Sequence, residues 1–168
     1  KELDLSTRQA DIGIFMRRPK QLNYIQKKQI DINYHIYGSP KYLEKHGFPK
    51  NINDLNKHSF ISFGRGAPSP VYNPDWALKL GTKDNKKRKT VMKVNSVYGL
   101  LLAVQSGVGL AALPDYITVN QPNIVKVLPN VEGPITEAHF VYPQSMKNVA
   151  RVQAFRNFLY SKISEWEF

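Results

Sequence analysis

The segment between Asn95 and Pro114 places the strongest constraint on the fold of this chain. Asn95 and Ser96 are good helix caps, and they precede residues 97–105, an almost wholly apolar stretch. A helix with so few polar residues must be buried on most of its sides. A second apolar run, residues 110–113, follows and stops at Pro114, as a short buried strand would. A buried helix followed directly by a buried strand indicates an α/β fold.

Strands and helices alternate over the rest of the chain, which supports this fold class. Apolar runs and apolar/polar alternation predict strands at residues 11–16, 30–37, 59–63, 124–128 and 136–142. Capping residues and spacings of three and four predict a short helix after Ser39, a helical turn at 53–57 and an amphipathic helix over 149–166. Residues 76–80 and 90–94 flank a basic loop, so a hairpin or two neighbouring strands are expected there.

Composition limits the possible functions of the chain. Its 168 residues include no cysteine, which excludes disulfides and thiolate metal sites and fits a reducing compartment. No apolar run approaches the roughly 18 residues that cross a bilayer, and residues 1–11 lack a signal-peptide core. The expectation is a cytoplasmic protein without a membrane partner.

The formal net charge of +11 would attract nucleic acid, anionic membrane or small anions. Its densest cluster, in the loop 81–89, contains Lys83, Lys86, Lys87, Arg88 and Lys89. Charge runs in such loops are usually solvated surface, which is the expectation here, with a nucleic-acid contact as the alternative.

Catalytic and metal-binding patterns are absent from the sequence. The four histidines occupy separate segments, no Gly-x-Ser-x-Gly turn occurs, and the 13 carboxylates form no evident acid and base pair. Gly107 and Gly109 resemble the start of a dinucleotide fingerprint, but the third glycine is missing and a packing role is expected. Residues 96–117 could be mistaken for a helix-turn-helix, yet the second helix would have no polar side chain to contact bases. No enzyme activity, metal or cofactor is expected.

An anion site is the one binding feature that the residues suggest. The helix that opens after Asn95 and Ser96 presents unpaired N–H groups and a positive dipole end, which could hold a carboxylate. Arg65, in the loop after the predicted strand 59–63, could form a forked pair with the same group. Alternatively, the two polar residues only cap the helix and Arg65 is solvated.

The order of several motifs, from about residue 4 to residue 160, resembles the effector-binding regulatory domain of LysR-type transcription regulators. They include Ala10-Asp11-Ile12-Gly13-Ile14, Gly38-Ser39-Pro40-Lys41-Tyr42-Leu43, His46-Gly47-Phe48-Pro49, Val94-Asn95-Ser96, Gln105-Ser106-Gly107-Val108-Gly109-Leu110-Ala111-Ala112-Leu113-Pro114 and Val152-Gln153-Ala154-Phe155. Each motif alone is weak, but their order and spacing are specific.

The resemblance implies a periplasmic-binding-protein-like fold of type II, in which crossover strands join two α/β lobes. It assigns residues 38–116 to the second lobe, and residues 1–37 and 117–168 to a first lobe that lacks its N-terminal strand, helix and strand. It also implies that the winged helix-turn-helix DNA-binding domain of the family is absent from this chain. DNA would therefore be contacted only through that missing domain.

The resemblance further implies a small organic or aromatic acid as effector, bound in an interlobe cleft. The positions that it suggests for the effector site are Phe15, Arg17, Ser39, Phe63, Arg65, Asn95 and Ser96. Effector binding would alter how homo-oligomers, dimers or tetramers, are packed. A periplasmic solute-binding protein of the same fold is the alternative function.

Overall fold

A computed structural model of the chain describes residues 10–16, 18, 23–64 and 75–166. The described residues form eight strands: β1 (Gly13–Phe15), β2 (Tyr24–Ile32), β3 (Tyr34–Gly38), β4 (Phe60–Phe63), β5 (Thr90–Val94), β6 (Ala111–Pro114), β7 (Val125–Val127) and β8 (Thr136–Pro143). They also form four α-helices: α1 (Pro40–His46), α2 (Trp76–Lys79), α3 (Val97–Gln105) and α4 (Ala150–Ser164). Short 3-10 turns lie at Ile52–Lys57, Lys83–Asn85, Asp115–Ile117 and Gln144–Met146.

The backbone contacts divide the chain into two compact units. The first comprises the residues up to Ile32 and those from Thr136 onward, and the second comprises Asn33–Ile135. This division differs from the lobe boundaries expected from the sequence, which fall after residues 37 and 116. β3 pairs with β6 and β7, and this pairing places residues 34–38 and 117–135 in the second unit.

The first unit is an antiparallel sheet with the strand order β1-β8-β2. Its small core contains Phe140, Tyr142 and Val152, the last of which comes from α4. Val152 is fully buried, whereas Phe155 and Phe158 on the same helix are 44% and 56% exposed. No helix within the described part of the chain is both long enough and apolar enough to span a membrane.

The second unit is built around a mixed sheet. β4 and β5 are parallel neighbours, and a parallel bridge between Phe60 and Leu110 links β4 to the start of β6. β3 then pairs antiparallel with both β6 and β7. The strand order is therefore β5-β4-β6-β3-β7, and α3 returns the chain from the end of β5 to the start of β6.

The buried helix predicted at residues 97–105 is α3. Leu101 and Val104 of α3 pack with Tyr37, Ile61 and Leu113, and each of these side chains is at most 4% exposed. This contact between an apolar helix and three adjacent strands forms the main core of the second unit. Burial of such side chains is the dominant stabilising term in a domain of this size.

Two sequence predictions of secondary structure need correction. Trp76–Lys79 is a helix and not a strand, and β5 instead pairs in parallel with β4. The segment 30–37 is not one alternating strand, because it is interrupted at Asn33 between β2 and β3. All five residues of β3 are buried, since the second unit covers both of its faces.

In the basic loop before β5, Lys83, Lys86, Lys87 and Lys89 are exposed, as expected of a solvated charge run, and Arg88 alone of the five departs from that expectation. Arg88 is 8% exposed, and its guanidinium donates to Asn56 Oδ1 at 2.9 Å, the Ala77 carbonyl at 3.0 Å and the Ile52 carbonyl at 3.3 Å. Burial lowers the pKa of Arg88. The fork of donors on arginine suits it to linking two separate segments, the 3-10 turn Ile52–Lys57 and the helix α2.

The glycines after α3 have the expected packing role. Gly107 has φ +80°, a backbone conformation that favours glycine. A Cβ at Gly109 would lie 2.6 Å from the Ser59 carbonyl oxygen, so only glycine allows this close approach between the start of β6 and the start of β4.

Candidate ligand-binding site

Three of the predicted site residues meet at the carboxyl ends of β4 and β5. Phe63 is paired with Val94 in the parallel register, and the Gly64 N–H donates to the Val94 carbonyl at 2.6 Å. Asn95 and Ser96 follow Val94 directly. The end of β4 and the start of α3 are therefore neighbours, as expected for ligand sites in parallel α/β sheets.

The first turn of α3 is open at this end of the sheet. Ser96 has extended backbone angles, and its Oγ accepts the Gly99 N–H at 3.3 Å, as an N-cap does. Among the described residues, the N–H groups of Val97 and Tyr98 have no acceptor, and Asn95 and Ser96 are exposed. Free N–H groups at the positive end of a helix dipole attract an anion.

Ser39 lies at the other end of α3. It is fully buried, its Oγ accepts the Tyr42 N–H at 3.3 Å, and a Cβ at Gly107 would lie 3.6 Å from that oxygen. Nine helical residues extend about 13 Å, and this length separates Ser39 from Ser96. The structure therefore does not bring Ser39 together with Phe63 and Ser96, and its evident role is to cap α1. The chain passes between the units near Asn33, not at Ser39.

The remaining predicted residues are Phe15, Arg17 and Arg65. Phe15 ends β1 in the first unit and pairs with His139, and its ring lies over Gly13, where a Cβ would be 2.3 Å from Cε2. Arg17 and Arg65 lie outside the described residues.

Sequence reasoning missed a buried polar cluster around Asp115. Its carboxylate lies 2.8 and 2.9 Å from His35 Nδ1, accepts the Tyr37 hydroxyl at 2.9 Å, and pairs with Lys126 Nζ at 3.1 Å. Asp115, His35 and Tyr37 are each at most 7% exposed. Asp115 directly follows β6, so the cluster lies at the same end of the sheet as Phe63 and Ser96.

The chemistry of this cluster follows from its burial. Burial, followed by the negative charge of Asp115, raises the pKa of Tyr37, so this hydroxyl stays protonated and donates. Lys126 also lies 6.0 Å from the centre of the Tyr37 ring. A carboxylate immediately after a buried strand is a signal that could have indicated the cluster. No group of three or more potential metal ligands occurs within the part of the chain that the structure describes.

A family model described as the LysR substrate binding domain matches residues 3–163. An uncharacterized HTH-type transcriptional regulator of Haemophilus influenzae is 27% identical over 147 residues, which cover 85% of this chain and 50% of that protein. An HTH-type transcriptional regulator of Xanthomonas campestris is 23% identical, with 98% of this chain and 49% of that protein covered. The chain thus spans about half the length of the curated relatives that it matches.

Solved structures of low sequence identity have the same fold. The regulatory domain of CrgA, a LysR-type transcriptional regulator from Neisseria meningitidis, has a TM-score of 0.78 at 21% identity, with 94% of this chain and 78% of that chain covered. The regulatory domain of AphB from Vibrio vulnificus has a TM-score of 0.68 at 17% identity, with coverages of 96% and 78%.

These matches show that the chain is an α/β domain with the type II periplasmic-binding-protein-like fold. The family follows from the match over nearly the whole chain. The chain belongs to the LysR substrate-binding-domain family. Its curated relatives are named as transcriptional regulators and not as enzymes.

Proposed function

We propose that this chain is the sensing domain of a LysR-type transcription regulator and binds a small organic or aromatic acid at the carboxyl ends of β4 and β5. The single observation that carries the proposal is the open first turn of α3, where Val97 and Tyr98 present free N–H groups beside Asn95 and Ser96. The family membership supports a sensing function, and the helix end supports an anionic ligand.

The proposed contacts divide between the charged and the apolar part of the acid. The carboxylate accepts from the free N–H groups of α3 and from the side chains of Asn95 and Ser96. The half-buried ring of Phe63, which ends β4, contacts the carbon skeleton. Phe15, Arg17 and Arg65 remain predictions from the family resemblance. Ser39 is left out because it is buried at the opposite end of α3.

In the whole protein, we propose that acid binding shifts the equilibrium between two arrangements of a dimer or tetramer. Binding can shift such an equilibrium only by as much as the acid prefers one arrangement over the other. DNA contact is assigned to a helix-turn-helix domain outside this chain, as the names of the relatives suggest.

A thermal-shift screen tests the proposal with a panel of aliphatic acids, aromatic acids, sugars and a DNA duplex. An acid at about 100 times its dissociation constant stabilises the folded chain by about 2.7 kcal/mol, which is a readily detected rise in Tm. Asn95→Asp should lower the rise to about half or less, because the added negative charge beside the carboxylate weakens binding by roughly tenfold or more, and Ser39→Ala should retain the full rise. A saturable rise as large in Asn95→Asp as in wild type contradicts the proposed site.

The net charge of +11 favours one second candidate function, direct binding of nucleic acid. The DNA arm of the same screen distinguishes it. A rise in Tm with the duplex alone, lost steeply with added salt, would replace the acid-sensing proposal with a polyanion-binding one.

A further inference from the structure

We propose that the second unit carries another small-molecule site, separate from the ends of β4 and β5, that binds a carboxylate with an apolar body. The site is a groove between the segment 48–53, which follows α1, and the segment 126–131, which begins on β7. Its volume of about 600 Å³ is within the range of sites for small organic molecules. We call it the β7 groove.

The walls of the β7 groove supply an apolar surface. They are formed by Phe48, Ile52, Val127, Leu128 and Val131, together with two prolines. Val127 is fixed in the core at 2% exposure, whereas the Phe48 ring is 60% exposed. An aromatic ring with this exposure, beside the buried Val127 and the partly buried Ile52, Leu128 and Val131, gives an apolar ligand a large surface to cover.

The charges of the β7 groove select an anion. Its lining residues include two cations, Lys50 and Lys126, and no acidic residue. Lys126 is already paired with Asp115 at 3.1 Å. Asp54 accepts the backbone N–H of Lys50 at 3.1 Å, and within the described residues the Lys50 ammonium has no carboxylate partner. Lys50 is therefore the cation that is free to pair with a ligand carboxylate.

The backbone of the groove wall is in an unusual conformation. Leu128 has φ +52°, although it is bulky and directly precedes Pro129, and its carbonyl accepts the Val131 N–H at 2.8 Å. Side chains other than glycine, asparagine and aspartate rarely adopt such angles, and strained residues of this kind cluster at ligand sites. The turn fixes Leu128 in the groove wall with a positive φ, whereas an unstrained end of β7 would have a negative φ at this position.

The β7 groove also has a physical connection to the buried cluster. Lys126, which pairs with Asp115, immediately precedes Val127 and Leu128 in the groove wall. One short strand therefore carries residues of both features. This connection does not depend on the proposed effector site on α3, because none of the groove residues belongs to β4, β5 or α3.

An NMR titration of the isotope-labelled chain tests the proposal, with octanoate and 3-phenylpropionate as probes and octanamide as the uncharged control. We expect saturable shifts of the amides of residues 48–53 and 126–131 with at least one acid, and binding weaker by roughly tenfold for the amide. Lys50→Glu should weaken acid binding by roughly tenfold, whereas Lys86→Glu, an exposed charge reversal outside the groove, should leave it unchanged. Phe48→Ala should weaken both charged and uncharged probes.

Three results would overturn the proposal. The first is the absence of a saturable shift with either acid. The second is a set of shifts confined to residues 94–99. The third is an equal loss of affinity in Lys50→Glu and Lys86→Glu. Shifts confined to residues 94–99 would support the site on α3 while removing the β7 groove. Groove shifts that are unchanged by Asn95→Asp would support the groove independently of the α3 site.

Discussion

The carboxylate of Asp115 lies 2.8 Å from Nδ1 of His35, a residue eighty positions earlier in the chain, and both side chains are buried. The contact joins the end of β6 to β3, and Lys126 adds β7 to the same cluster. Three strands of the second unit are therefore held at one end of the sheet by a single charge. A buried charge that satisfies several partners is costly to remove from one side only.

Replacing this carboxylate should destabilise the chain strongly. Asp115→Asn leaves the hydrogen bonds of His35 and Tyr37 imperfectly satisfied and Lys126 without its partner. We expect a loss of about 3 kcal/mol in the free energy of unfolding, measured by urea denaturation. Asp11→Asn is the control, because its pair with Arg151 is exposed, and it should cost less than about 1 kcal/mol. Equal losses in the two variants would contradict the role of the cluster.

The two serine caps should separate stability from binding. Ser39→Ala and Ser96→Ala each remove a side-chain acceptor from a helix N-terminus and should each cost about 1 kcal/mol of stability. Only Ser96→Ala should lower affinity for the acid found in the screen. If Ser39→Ala, in which Ser96 is intact, lost affinity for the acid, the acid would bind near Ser39 and not at the first turn of α3, which would contradict the proposed site.

His58 should contribute a pH dependence to stability. Burial, reinforced by the nearby positive charges of His46 and Lys57, lowers the pKa of His58, and its Nδ1 has no hydrogen-bond partner among the described residues. The unfolded chain therefore binds the proton more readily than the folded chain. The stability from the neutral ring is present above the unfolded pKa of about 6.5 and is lost as the pH falls below it.

Urea denaturation of wild type and His58→Leu at several pH values between about 5 and 7.5 measures this effect. The variant should lose less stability on acidification than wild type does. His46→Gln, which alters an exposed ring stacked on Tyr42, should keep most of the wild-type dependence. Identical slopes for wild type and His58→Leu would refute the prediction.

Two glycine substitutions should act in opposite directions. Gly109→Ala places a methyl group 2.6 Å from a backbone oxygen of Ser59, so the strands must separate, and we expect a loss of about 2 kcal/mol. Gly99→Ala in α3 meets no atom closer than 3.6 Å and should stabilise the chain by about 0.5–1 kcal/mol. Thermal unfolding of both variants checks this, and stabilisation by Gly109→Ala would contradict the packing described.

Local signals in the sequence were sufficient to predict most elements of the second unit. The caps and apolar content of residues 95–105 predicted α3, and the family resemblance predicted the fold that the comparisons show. The helix Trp76–Lys79 was missed because four residues are too few to show a helical period. The break at Asn33 was missed because apolar and polar residues alternate without interruption across it.

The candidate site was predictable only for residues that are adjacent in the sequence or that lie at the ends of paired strands. Asn95 and Ser96 are adjacent in sequence, and the parallel pairing of β4 with β5 then places Phe63 beside them. Ser39 has the same cap chemistry as Ser96, and sequence alone could not show that α3 separates the two. Asp115, directly after a buried strand, is a local signal for a polar cluster, but its partners His35, Tyr37 and Lys126 depend on the tertiary pairing of β3, β6 and β7, which no local pattern encodes.

The most direct test of the acid-sensing account is a calorimetric comparison of wild type, Asn95→Asp and Ser39→Ala with the acid that gives the largest thermal shift. The account predicts an affinity loss of roughly tenfold or more for Asn95→Asp, from repulsion between like charges at the open end of α3, and an unchanged affinity for Ser39→Ala. An acid that binds Asn95→Asp as tightly as it binds wild type would contradict the account.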